Sequence, residues 1–361
     1  MNFCSFAFFL CSEIQYEGVK GMALYFATVL PGLEFVLEDE IRVKIADAQM
    51  QRTERGKVFF HSARPAEALM ALRTADNLYR PIHRFRVGPH KMHLAGIEHE
   101  ISQADLPRDL IENFGMAGYK VNASRTGDHT YSRFDAAEAA AKGMARRYPR
   151  LRYDASGSHE VEFRLDIRDD DAVFALRLTD ASFRYRAEQR RFAHAALRPS
   201  VAHALVWLSN PEETDVFIDP CCGSGTLLSE RHAYPHCRIY GGDLSAAAVE
   251  ASLDNVGLHD RVRILQWDAR DLPIDSGHVD KAAANLPFGR QISAGENLPR
   301  LYGDIFKEIK RVLKRQGIFI CLTDADDALQ SAAEKLQFNC SKMAVLSLKG
   351  LHPSLYRLKK R

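Results

Sequence analysis

Residues 215–232 read DVFIDPCCGSGTLLSERH, and this stretch decides the fold class. Val216, Phe217 and Ile218 make a short apolar run of the kind a strand buried on both faces shows. Asp219-Pro220-Cys221-Cys222-Gly223-Ser224-Gly225 then breaks the run, and a helical pattern starts at Thr226. Glycines at a strand-to-helix turn let the backbone approach a ligand closely, with the helix N-terminus facing it. A dinucleotide fingerprint would need a third small residue three positions after Gly225; this chain has Leu228 there, which argues against NAD.

The same strand, turn and helix texture repeats outward from this point. RIYGGDLS (238–245) ends a strand at Asp243, 24 residues beyond Asp219 and placed to accept hydrogen bonds from the two hydroxyls of a ribose. RVRILQWDARDL (261–272) is expected to end a strand at Asp268, where that side chain and the amide of Ala269 would read an adenine edge. An adenosine-bearing ligand without a pyrophosphate satisfies all three turns. The fourth strand, DKAAAN (280–285), delivers Asn285-Leu286-Pro287-Phe288 to the carboxyl edge of a parallel sheet, where ligands bind.

The chemistry of that tetrapeptide is specific. An exocyclic amine of a nucleobase is a poor nucleophile because its lone pair is delocalised into the ring. The Asn285 carbonyl and the backbone carbonyl of Leu286, presented by a turn that Pro287 fixes, can both accept hydrogen bonds from such an NH2 group. Those bonds aim the lone pair at an electrophile. Phe288 offers a face on which the base stacks, worth about 1–3 kcal/mol.

The rest of the chain bounds this reading. At 361 residues two or three domains are expected, and 46% hydrophobic with 27% charged residues describes an ordinary globular composition. The seven cysteines form no C-x-x-C pair and no zinc spacing, so no metal is expected, and a reducing, cytoplasmic setting fits. Cys221 and Cys222 read as small packed residues of the glycine turn, not nucleophiles. The net charge of +2 hides local clustering: windows 80–93, 142–152 and 184–198 hold 14 of the 49 Lys and Arg with one acid, Glu188. Phosphate contacts need spread-out cations, so Arg84, Arg86, Lys91, Arg146, Arg147, Arg184, Arg186, Arg190 and Arg191 are the expected nucleic-acid track. His83, His90, His93 and His99 fall in what reads as a basic loop region.

Residues 1–21 contain an apolar run, Phe3 to Cys11, with no preceding Lys or Arg and too short to cross a membrane. They read as an extension upstream of a start at Met22, and no segment reads as a membrane span. From Met22 to about Arg198 strands and helices mix: strands at 24–29, 57–61, 119–125, 161–167 and 172–178, and helices at 32–46, 65–72 and 135–148. No residue there is arranged for chemistry, which suits a binding module. Beyond Asn285 the pattern predicts a helix over 299–313, a strand over 317–323, a helix to Leu336 and a closing pair of strands around 342–350 and 354–360.

At Asp219-Pro-Cys-Cys-Gly-Ser-Gly-Thr and Asn285-Leu-Pro-Phe-Gly the sequence resembles motifs I and IV of class I S-adenosylmethionine-dependent methyltransferases that act on amino groups. The N-L-P-F-G form, with Leu286 in place of the commoner first proline, is similar to the RNA guanine-N2 methyltransferases that carry a THUMP domain. ATVLPGLEFVLEDEI resembles their ferredoxin-like opening segment, residues 90–184 their THUMP region, and LRPSVAHALVWL (197–208) the helix that leads into their catalytic domain. The resemblance implies an α/β fold: a Rossmann-like class I methyltransferase, its seven-stranded sheet closed by an antiparallel hairpin, preceded by an α+β ferredoxin-like and THUMP RNA-binding region. It implies domains at 22–85, 86–186 and 187–361, with 187–210 as linker and leading helix. It also implies S-adenosylmethionine as cofactor. Asp219, Gly223 and Gly225, with Cys221 beside them, would line its methionine end, Asp243 and Leu244 its ribose, Asp268 and Ala269 its adenine. Asn285, Leu286, Pro287 and Phe288 would hold the target guanine. The implied partner is tRNA, with the acceptor-stem guanine at position 6 the leading target, and a small activating protein subunit is left open. Alternatives are an rRNA guanine, adenine-N6 in nucleic acid, a protein glutamine, or an RNA-binding protein whose methyltransferase domain is inactive.

Overall fold

A computed structural model describes residues 21–106, 118–154, 156, 159–186, 196–288, 297–348 and 350–360. Their elements run β1 (Ala23–Thr28), α1 (Glu34–Lys44), β2 (Gln49–Glu54), β3 (Lys57–Ser62), α2 (Ala66–Leu69), β4 (Asn77–Arg86), α3 (Leu94–Gln103), β5 (Gly118–Thr126), α4 (Arg133–Arg147), β6 (Arg152–Tyr153), β7 (Val161–Arg168), β8 (Asp171–Arg177) and α5 (Ala181–Tyr185). They continue with α6 (Pro199–Leu208), β9 (Val216–Asp219), α7 (Thr226–His232), β10 (Arg238–Asp243), α8 (Ala246–Val256), β11 (Val262–Gln266), β12 (Val279–Asn285), α9 (Leu298–Val312), β13 (Leu313–Thr323), α10 (Asp326–Lys335), β14 (Asn339–Val345) and β15 (Ser354–Lys359). Packing divides them into two units. One takes the described residues up to Phe26, Phe60–Ala63 and Leu78–Leu178; the other takes Ala27–Phe59, Arg64–Asn77 and Thr179 onward.

In the first unit β4, β8, β7, β5 and β6 lie side by side in that order. The β7–β8 pair is antiparallel across the turn at 169–170, and β5 runs parallel to β7. α4 starts where Ser132 caps it and Asp135 returns the bond to the Ser132 amide, a reciprocal arrangement that satisfies two otherwise orphaned amides. Its buried face is Ala136, Ala139, Ala140, Gly143 and Met144. A Cβ at Gly143 would lie 2.5 Å from the Glu98 carbonyl of α3, so glycine is what lets the two helices pack this closely.

Two sequence expectations need correction here. Residues 80–86, read as basic loop, belong to β4 and place His83 in a strand. Their alternation is broken by an irregularity between Pro81 and His83, and Arg84 pairs across the strands with Asp171, so charge masks the strand period. His83 meets Glu100 of α3 at 2.9 Å, and His99 lies on α3. β2, with the sequence QMQRTE and no buried residue, carries no apolar signal and went unforeseen.

The second unit holds a seven-stranded sheet in the order β11-β10-β9-β12-β13-β15-β14. β9, β10, β11, β12 and β13 run parallel, and β15 and β14 close the sheet antiparallel, with Cys321 opposite Tyr356 and Cys340 opposite Leu358. This is the Rossmann-like class I methyltransferase sheet with its terminal hairpin. The chain leaves β9 in one direction to β10 and β11 and returns on its other side to β12, so the carboxyl ends of β9 and β12 flank a topological switch point. α9 covers one face: Asn297 caps it, and Tyr302, Ile305, Phe306, Ile309 and Val312 are buried at helical spacing.

A buried polar cluster ties α1 to α6 in this unit. Glu40, fully buried, accepts from Lys44 at 2.7 Å and from the amides of Arg73 and Thr74 at 2.8 Å each. Thr74 Oγ1 meets His203 Nδ1 at 2.8 Å, and the other ring nitrogen meets the Tyr234 hydroxyl at 2.6 Å. Burial pushes the His203 imidazole down to about 4, against the pull of Glu40 and Glu230. A histidine lowered in the folded state is neutral there, so its contribution is complete above the unfolded value of about 6.5. It is lost as pH falls from there toward 4. We therefore expect unfolding free energy, measured in urea, to decline through that window, with His203 supplying on the order of 3 kcal/mol of the fall; His203→Gln should flatten the slope. Removing the carboxylate by Glu40→Ala should cost about 3–5 kcal/mol by the same measurement, as expected when one partner of a buried pair is taken away.

Candidate active site

Every residue of the candidate site lies in the second unit, on turns that leave the carboxyl ends of β9 to β12. Asp219, the last residue of β9, is buried, and its Oδ1 accepts from the Cys221 amide at 3.1 Å. Burial, with Asp243 nearby, pushes its carboxyl well above the usual carboxylate range. Gly223 and Gly225 both have positive φ, 52° and 76°, a backbone that glycine adopts without strain. A Cβ at Gly223 would meet nothing within 4 Å, whereas one at Gly225 would lie 2.4 Å from Ser252 Oγ. The first glycine thus faces open space and the second a packed helix.

Asp243 holds two turns together. Its Oδ2 accepts from the Gly223 amide and its Oδ1 from the Ser245 amide, each at 3.0 Å. The Cys222 amide adds a bond to the Gly242 carbonyl at 2.9 Å. Leu244, next in the chain, is exposed. Beyond β11 the strand stops at Gln266, two residues short of the expected Asp268. Asp268 sits instead in a turn bridged to Asp271. Just before it, the Trp267 amide still bonds to the Asp243 carbonyl of β10 at 3.1 Å, while its buried indole donates from Nε1 to the Pro220 carbonyl at 2.9 Å. Arg270 engages both Asp268 oxygens, and its hydrogen bonds hold that carboxyl below the ordinary range. Ala269 is buried beside it.

β12 ends at Asn285, whose register partner on β13 is Leu322. The Asn285 Oδ1 is buried and has no hydrogen-bond partner among the described residues, a costly state for an amide oxygen unless something else comes to it. Leu286 is buried and donates its amide to the Leu322 carbonyl at 3.0 Å. The Pro287 carbonyl accepts from the Tyr302 hydroxyl at 2.8 Å. Phe288 is half-buried. Gly289 lies outside the described residues. Burial first, then Asp219, pushes the thiols of Cys221 and Cys222 up, so both stay protonated and neither is a competent nucleophile.

Two residues with a part in the site were not singled out from sequence. Trp267 and Tyr302 are both buried aromatics with a polar atom, and such a group finds a partner when buried. That partner is in each case a carbonyl of a turn in the candidate site. The one signal available was a tyrosine on the apolar stripe of α9.

The expected nucleic-acid residues fall in both units. In the first, Arg84 makes a two-bond pair with Asp171, Arg86 pairs with Asp170, Arg146 with Glu98 and Arg147 with Asp105, and Lys91 is exposed. In the second, Arg184 lies 3.9 Å from Asp76. Arg186 reaches Glu230 and the carbonyls of Arg73 and Phe183, which commits its guanidinium to the interior. Arg190 and Arg191 lie outside the described residues. Among the described residues no cluster of His, Cys, Asp and Glu could hold a metal, and no helix is long and apolar enough to cross a membrane. A cavity of about 260 Å³ lined by Leu253, Leu258, His259 and Asp260 sits at the amino end of β11, away from these turns.

Residues 186–354 match the family described as UPF0020, RMKL-like, methyltransferase domain. The chain is 27% identical over 261 residues to the mouse tRNA (guanine(6)-N(2))-methyltransferase THUMP3, a match covering 67% of this chain and 51% of that protein, so the chain spans about half the length of this relative. It is 29% identical over 345 residues to a tRNA (guanine(6)-N2)-methyltransferase of Thermus thermophilus, covering 92% of this chain and 98% of that one. The crystal structure of TrmN from Thermus thermophilus superposes with a TM-score of 0.77 at 25% identity, covering 94% and 99% of the two chains.

The packing of the site is tight enough to test directly. A Cβ at Gly242 would lie 2.3 Å from the Trp267 indole and 2.6 Å from the Leu265 carbonyl. Gly242→Ala should therefore lose about 1–3 kcal/mol of stability or more, read as a lower denaturation midpoint; an unchanged midpoint would refute this packing.

Proposed function

We propose, from the premise that this chain belongs to the UPF0020 family of class I methyltransferases, that it methylates the exocyclic N2 of a guanine in tRNA. The observation that carries the reading is the Asn285 side-chain oxygen, buried at the carboxyl end of β12 and unpartnered among the described residues. A buried amide acceptor beside a Leu-Pro-Phe turn suits an amine donor that arrives with the substrate. Asn285 Oδ1 and the Leu286 carbonyl would each take one hydrogen of the N2 amine, drawing its lone pair out of the ring plane, while Phe288 stacks on the base.

S-adenosylmethionine, when bound, supplies an electrophilic methyl group on sulfur. The residues fit such a group. Gly223 presents backbone to open space, and the oxygens of Asp243 that bind loop amides each keep a second acceptor direction for a ribose hydroxyl. Asp219, Cys221, Gly223 and Gly225 would hold the methionine end, Asp243 and Leu244 the ribose, and Asp268 and Ala269 the adenine. No thiolate or other nucleophile is needed, so the chain's residues contribute orientation and hydrogen bonding.

The names of the mouse and Thermus relatives support tRNA and a guanine at position 6 as the target. Modules at 22–85 and 86–186, ferredoxin-like and THUMP by resemblance, would capture the RNA for the module at 187–361, in the cytoplasm. Arg84, Arg86, Lys91, Arg146, Arg147 and Arg184 would supply phosphate contacts.

The test is transfer of labelled methyl from S-adenosylmethionine to unmodified tRNA, followed by nucleoside analysis. The expected product is N2-methylguanosine, and formation by the chain alone would show that no activating subunit is required. Label recovered as N6-methyladenosine or on protein would overturn the substrate. Asn285→Ala should lower the rate by about 100-fold or more while S-adenosylhomocysteine affinity, measured by calorimetry, stays at the wild-type value.

A further inference from the structure

A turn that grips a base must hold its own carbonyls still. Between the Leu286 and Pro287 carbonyls the backbone has two soft torsions, φ and ψ of Pro287, and the pyrrolidine ring fixes the first. The second is set by whatever holds the Pro287 carbonyl. That group is Tyr302, fully buried on α9, whose hydroxyl donates to it at 2.8 Å. The same hydroxyl lies 2.7 Å from Thr323 Oγ1 at the end of β13, and Thr323 Oγ1 accepts from the Ala325 amide at 2.9 Å. A hydroxyl has one hydrogen to give. With the Tyr302 hydrogen on Pro287, the Thr323 hydroxyl must donate to Tyr302, so the chain of bonds runs one way, from the Ala325 amide to the Pro287 carbonyl. Burial pushes the Tyr302 phenol up, outweighing the Thr323 bond, and keeps it a donor. On the other side of Leu286, its own amide is fixed to the Leu322 carbonyl.

We propose that Tyr302, supported by Thr323, is a positioning residue for methyl transfer: it clamps the Pro287 carbonyl and so sets the direction of the Leu286 carbonyl that faces the substrate amine. The proposal rests on the reading of Asn285-Leu286-Pro287-Phe288 as the amine-binding turn. Filling space alone would be served by Phe and Val, which occupy similar volumes without two buried hydroxyls to satisfy. Here the hydroxyls converge on the one carbonyl adjacent to the acceptor, which is where a torsional restraint has a chemical use.

Tyr302→Phe and Thr323→Val test this, with Thr323→Ser as the conservative control. The expected result for Tyr302→Phe is a kcat about tenfold lower or more, with KM for tRNA and affinity for S-adenosylhomocysteine unchanged. Thr323→Val should move kcat the same way, the double variant should be no worse than the worse single, and Thr323→Ser should restore the wild-type rate. The Leu286 amide should exchange with solvent about fivefold faster in Tyr302→Phe. A lower melting temperature with kcat and Leu286 exchange both unchanged would reduce Tyr302 to a structural role and overturn the proposal. Because kcat is read on whichever nucleoside the wild type methylates, failure of the guanine assignment is separable from failure of the clamp. If the wild type methylates no RNA, the exchange rate alone decides.

Discussion

One carboxylate organises the candidate-site edge of the seven-stranded sheet. Asp243 accepts from the Gly223 amide with one oxygen and the Ser245 amide with the other, and in doing so fixes the turn after β9 to the turn after β10. The arrangement works only because β10 gives up side chains where a parallel strand would normally carry Val or Ile. A Cβ at Gly241 would lie 2.2 Å from Leu228, and one at Gly242 would lie 2.3 Å from Trp267. Leu228 comes from the helix after the glycine turn and Trp267 from the end of β11, so each packs its side chain into the room a glycine leaves. The Trp267 indole then bonds back to the Pro220 carbonyl, which closes a ring of contacts around the turn without using the acceptor atoms a ligand would need.

The site also separates its charges by environment. Asp219 and Asp268 flank the same edge, yet burial raises the first and the Arg270 hydrogen bonds lower the second. A buried carboxyl satisfied by the Cys221 amide serves the turn's own geometry. An ionised carboxylate at the surface can answer an incoming polar group. The Asn285 oxygen differs from both, being neutral, buried and, among the described residues, unpartnered.

Much of this was legible in the sequence for a physical reason. The parallel strands are apolar runs, and the turns between them use glycine, proline and acids, residue types whose backbone or hydrogen-bonding behaviour is local. The order Asp219, Gly223, Gly225, Asp243, Asn285 could therefore be read without coordinates. What could not be read depends on distant neighbours. Nothing local in DNLYRPIHRFR shows that Arg84 will meet Asp171, so β4 reads as a basic loop. The Trp267 indole bonds to the Pro220 carbonyl and Asp268 bridges to Asp271 just beyond β11, contacts that a strand pattern cannot show. Tyr302 looks like one more residue of an apolar stripe until Pro287 and Thr323 are found against its hydroxyl.

The near-neutral charge of the chain and its proposed RNA partner are reconciled by the same ion pairs. Arg86, Arg146 and Arg147 are each matched with an acid at the surface. An exposed pair of this kind is worth about 0–1 kcal/mol, so exchanging the acid for a phosphate oxygen costs little and gains the counterions the polyanion releases. Arg84, held by two bonds to Asp171 and half-buried, would exchange less readily. Arg186, tied to buried Glu230 and two carbonyls, would give up three interior bonds and leave that acid to Arg73 alone, a larger penalty. Clustering of arginines in sequence therefore overstates the usable track. The separation between surface cations that can change partner and interior cations that cannot is set by what each guanidinium already holds, and that is a property of the fold.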